Sequence, residues 1–112
     1  MSGKPVLTAR AMNANFTSTP QNIGGLTGYS VQCVFTGTTI AGTITLEAST
    51  NFATGTAETW DAIPGASHTP SAAGSVTFNL YSQYYPFFRV KWVDAGTSSA
   101  NSLMTVTSYV KD

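Results

Sequence analysis

The sequence is poor in charge, cysteine, histidine and continuous apolar stretches. Five basic and five acidic residues make up 9% of its 112 residues, and the formal net charge is zero. An average soluble protein carries roughly 25% charged residues. Five scattered cations give no electrostatic footprint for a nucleic-acid backbone and no polybasic stretch to hold an anionic membrane. The apolar runs are as short as Ile40 with Ala41 or Phe87 with Phe88, far below the length of a membrane span. Residues 1–5 contain no apolar segment of the secretory type, so folding in a cytosol is the expectation. Without a secretory route, the sequon Asn15-Phe16-Thr17 reads as a chance match. Cys33 stands alone and cannot form an intrachain disulfide. Its place in an alternating apolar pattern predicts a buried structural thiol.

Chemistry is equally sparse. His68 has no carboxylate or cysteine beside it, the nearest acid being Asp61, and it reads as a solvated loop residue. Glu47, Glu58 and Asp61 are near one another in sequence, as a pair of glycosidase carboxylates would be. Glu47, however, is expected on the exposed face of a strand, and nothing around Trp60 would raise the pKa of Glu58 or Asp61. Asp94 and Asn101 match no calcium-loop spacing. The expectation is a non-enzymatic chain with no catalytic residue, no metal site and no cofactor.

What the sequence has in quantity is serine and threonine, 30 residues together, with ten glycines, 42% hydrophobic and 12% aromatic content. That apolar fraction is enough for a folded core and argues against disorder. Tyr29, Val31, Cys33 and Phe35 alternate with polar partners, as do Ile44, Leu46 and Ala48. Period two is the strand signal, and Gly37 to Gly42 between these runs reads as a hairpin turn. Further strands are expected around residues 60–63, with Pro64-Gly65 closing that run as a turn. Val76, Phe78 and Leu80 mark another strand, and Phe88, Val90 and Trp92 the next. Met104, Val106, Ser108 and Val110 mark the last. Trp60 and Trp92 are assigned to the core. The sum is an all-β chain, a single antiparallel β-sandwich of Greek-key or jelly-roll type with six to eight short strands. Residues 28–112 form the sandwich, and residues 1–27 are either its first strand or an arm spanning to a neighbouring subunit. The arm would make its contacts through Val6, Leu7, Met12 and Phe16.

Two surface features invite a function. Tyr81, Tyr84, Tyr85, Phe87 and Phe88 cluster in sequence, and Phe52 stands in a polar loop. Such aromatics form a sandwich corner, anchor a protein interface, or stack on sugar rings. The threonines between Thr36 and Thr45 lack the regular repeat of an ice-binding ladder and read as strand surface.

Several segments taken in order resemble a known group. They are Gly42-Thr43-Ile44-Thr45-Leu46-Glu47-Ala48-Ser49, Thr59-Trp60-Asp61-Ala62-Ile63-Pro64-Gly65, Gly74-Ser75-Val76-Thr77-Phe78-Asn79 and Tyr85-Pro86-Phe87-Phe88-Arg89-Val90-Lys91-Trp92. This order is similar to small β-sandwich virion proteins of tailed bacteriophages, from about Tyr29 to Val110. The segments mark core strands and turns, so no active-site residue carries over. The resemblance implies a structural virion component of the capsid-decoration or connector type, assembled in the host cytoplasm. Its partners would be other virion proteins and copies of itself. The alternative is a carbohydrate-binding or adhesion module that holds a surface glycan on Tyr81, Tyr84 and Tyr85.

Overall fold

The computed structural model describes residues 4–18, 21–22, 28–49, 59–81 and 87–111. Among these residues every regular element is a strand. They are β1 (Lys4–Ala11), β2 (Phe16–Thr17), β3 (Gln21–Asn22), β4 (Gly28–Thr36), β5 (Gly42–Ser49), β6 (Asp61–His68), β7 (Gly74–Tyr81), β8 (Phe87–Asp94) and β9 (Leu103–Lys111). The first sheet has the order β1-β9-β4-β7. In the second, β8 pairs with β5, β5 with β6, and the two-residue strands β2 and β3 lie along the other side of β8. All pairings are antiparallel, which gives the expected two-sheet β-sandwich.

Period-two alternation decides which side chains meet between the sheets. Val31, Cys33 and Phe35 from β4 and Met104 and Val106 from β9 face Ile44 and Leu46 from β5 and Phe88, Val90 and Trp92 from β8. All ten are at most 2% exposed. A core of this kind is the dominant stabilising term, at about 25 cal/mol per Å² of apolar surface removed from water.

The structure revises the expected hairpin. β4 pairs with β7 and β9, whereas β5 pairs with β6 and β8, so residues 37–41 arch from one sheet to the other. The reason lies in Ile40, which is buried at the open end of the sandwich and draws the linker across it. Glycine is required on both sides of the arch by close approach. A Cβ on Gly37 would stand 2.6 Å from the Cα of Ser102, and one on Gly42 would meet the Val93 carbonyl oxygen and the Trp92 ring. Among consecutive strands only β5 and β6 pair directly.

Pro64-Gly65 is also not a turn. β6 runs through it as an edge strand, and the register slips between Thr45↔Ser67 and Glu47↔Ala62. Proline has no N–H to give to a ladder and is tolerated at such a bulge, while Gly65 takes φ 79°. His68 consequently ends β6, not a loop, with its ring stacked 6.0 Å from that of Phe35.

Candidate assembly surface

The outer face of the first sheet is built by the residues that alternate with the core. Gln32, Val34 and Thr36 of β4 lie between Ser75 and Thr77 of β7 and Leu103, Thr105 and Thr107 of β9. Ser30 extends the row, and its hydroxyl donates to Asn79 Oδ1 at 2.6 Å. None of these side chains is charged. Val34 and Leu103 are 38% and 37% exposed, adding two apolar patches to a hydroxyl- and amide-rich surface. Such a face can be covered by another surface without stripping water from an ion.

On the second sheet a strand carboxylate is matched by two cations of the neighbouring strand. The Arg89 Nε donates to Glu47 Oε1 at 2.8 Å across the β5–β8 pair, and Lys91 Nζ lies 3.9 Å from Oε2. The Arg89 guanidinium also stacks 4.5 Å over the Trp60 ring. Glu47 is therefore 8% exposed, in contrast to the solvated strand residue expected from its position. Alternation places it on the outer face correctly, but its ion-pair neighbours enclose it. Trp60 in turn is half-buried just before β6 and outside the core.

One end of the sandwich is closed by hydroxyl groups. Ser98 Oγ donates to the Ala41 carbonyl, and Ser102 Oγ to that of Thr39. The Thr39 N–H donates to Ser99 Oγ, and Asn101 Nδ2 donates to Thr38 Oγ1. In sequence this serine-rich stretch reads only as loop; its function as a clip depends on the arch that it meets. Asp94 lies beside it. Hydrogen bonding, first of all from Ser98, holds its carboxyl below the ordinary value despite some opposing desolvation. Asn15 Oδ1 accepts the Asp94 N–H at 2.8 Å.

The N-terminal residues proposed as arm contacts lie within the sandwich of their own chain. β1 pairs with β9, Val6 and Leu7 pack against the core, and Met12 and Phe16 are buried in it. The Trp92 indole N–H donates to the Met12 carbonyl at 2.8 Å. Ser18 grips the Val90 backbone at both its N–H and its carbonyl, each at 2.8 Å. Of the aromatic candidates, Tyr81 ends β7 and Phe87 begins β8 in a half-buried position. Tyr84, Tyr85 and Phe52 lie outside the described residues.

No protein-family model and no curated protein matches the chain. Among solved structures, PBSX exported protein XepA is similar, with a TM-score of 0.60 at 18% sequence identity. The match covers 98% of this chain but 37% of that one, so the chain spans little more than a third of its neighbour's length. What the comparison shows is a fold, a two-sheet sandwich shared with part of PBSX exported protein XepA.

Proposed function

We propose that this chain is a non-enzymatic structural protein of a phage particle, present in many copies as a capsid-decoration or connector component. The observation that carries the reading is the outer face of β4, β7 and β9, where Gln32, Val34 and Thr36 lie between Ser75, Thr77, Leu103, Thr105 and Thr107 without a charge. A component that packs against a shell or against its own copies gains from a surface whose burial desolvates no ion. Zero net charge removes long-range repulsion between crowded copies. The strand order that resembles virion sandwiches supports this reading, and the fold shared with part of PBSX exported protein XepA is compatible with it.

Quantitative mass spectrometry of gradient-purified particles tests it. The expected result is a fixed, multiple copy number per particle, with the protein at a repeated symmetric position by cryo-microscopy. Its absence from purified particles would overturn the proposal.

A further inference from the structure

A sheet edge leaves backbone N–H and C=O groups without partners, and proteins that do not use an edge obstruct it with proline, charge, bulges or shortness. Among the described residues the two sheets have four edges, and three of them carry such obstacles. β1 has Pro5, exposed Arg10, two register shifts and Ala9 at φ 48°. β6 has Pro64, Gly65 and a register slip. β2 and β3 are two residues each. β7 differs from all of them. Its eight residues pair with β4 without a shift from Gly74↔Phe35 to Tyr81↔Gly28. It contains no proline and no charge, and Ser75, Thr77 and Asn79 are exposed.

We propose that the edge of β7 left unpaired among the described residues pairs antiparallel with β7 of a second copy, joining two four-stranded sheets into one of eight strands. The inference rests on the reading of the chain as a self-associating particle component and names the contact. Directly opposed residues in an antiparallel pair point to the same side. A two-fold axis at Thr77 therefore sets Thr77 opposite Thr77, Ser75 opposite Asn79, and Val76 opposite Phe78. Polar side chains meet polar ones on the outer face, and core-facing side chains meet their like. The strand is complementary to itself without any ion to bury or repel. The two uncharged faces then become one continuous surface.

Cross-linking and sedimentation of the full chain test the contact. At the two-fold axis the Cα atoms of residue 77 lie about 4.5–5.5 Å apart, within disulfide reach. Thr77→Cys is expected to form a disulfide dimer on mild oxidation. Gln32→Cys, the outward neighbour one strand further in, stays monomeric on a non-reducing gel. In sedimentation velocity the wild type is dimeric. Thr77→Lys, which opposes two ammonium groups, raises the dissociation constant at least about tenfold, whereas Gln32→Lys leaves it unchanged. A monomeric wild type, or cross-linking of Thr77→Cys no faster than Gln32→Cys, would overturn the proposal. Detection in purified particles is read separately, so a β7 failure and a failure of the virion assignment are distinguishable.

Discussion

Replacing Trp92 by phenylalanine asks whether residues 4–18 belong to the same cooperative unit as the rest of the sandwich. Trp92 is fully buried, and its indole N–H donates to the Met12 carbonyl at 2.8 Å. Phenylalanine leaves that buried carbonyl without its donor, a loss of about 1–3 kcal/mol. The vacated volume, about 40 Å³, costs about 1 kcal/mol more at about 24 cal/mol per Å³. The expected total is about 2–4 kcal/mol. For 112 residues an unfolding entropy of about 0.24 kcal/mol/K turns this into a Tm lower by about 8–17 °C. Urea unfolding followed by far-UV circular dichroism and by the remaining Trp60 fluorescence measures the loss. Both probes should move together with an unchanged slope. A loss below about 1 kcal/mol, or an early transition confined to one probe, would refute the packing of the N-terminal segment into the common core.

Glu47→Gln removes the carboxylate that Arg89 holds at 2.8 Å, with side chains 10% and 21% exposed respectively. It should cost about 1–3 kcal/mol in urea unfolding, and a cycle with Arg89→Gln that proved additive would contradict the pairing. Burial pushes the Cys33 thiol from its ordinary 9.0 up to about 12. Below pH 9 both states hold the proton, but above it the unfolded chain ionises first, so the stability this thiol contributes is lost as pH rises from 9 towards 12. Cys33→Ala should flatten that alkaline decline, and an aromatic disulfide reagent at pH 8 should label Cys33 only after denaturation.

The strands that contribute most to the core were legible because one face of each is dry. Val31, Cys33 and Phe35, or Phe88, Val90 and Trp92, alternate so regularly that period two fixes both element and face. The connections were less legible. Glycine at both ends of residues 37–42 matches a hairpin turn, and only the buried Ile40 between them betrays an arch. Pro64-Gly65 has the same local chemistry in a turn and in an edge-strand bulge, and the choice is made by the register against β5. Glu47 shows the limit of alternation, which assigns a face but not the neighbours that cover it. The uncharged composition of the candidate surface could be read directly, since serine, threonine and asparagine dominate the polar positions. That β7 ends a sheet could not, because edges are a property of topology.

The strand order also dictates a schedule. β9, the last strand in the chain, occupies the middle of the first sheet, between β1 and β4. During synthesis, β1 has to wait for a partner that emerges about a hundred residues later, and β4 has only β7 to hold until then. The β5–β6 pair is the one local piece that can form early. The first sheet is complete only once β9 enters between β1 and β4, and a chain still lacking β9 leaves the edges of those two apolar strands open with little charge to keep them apart.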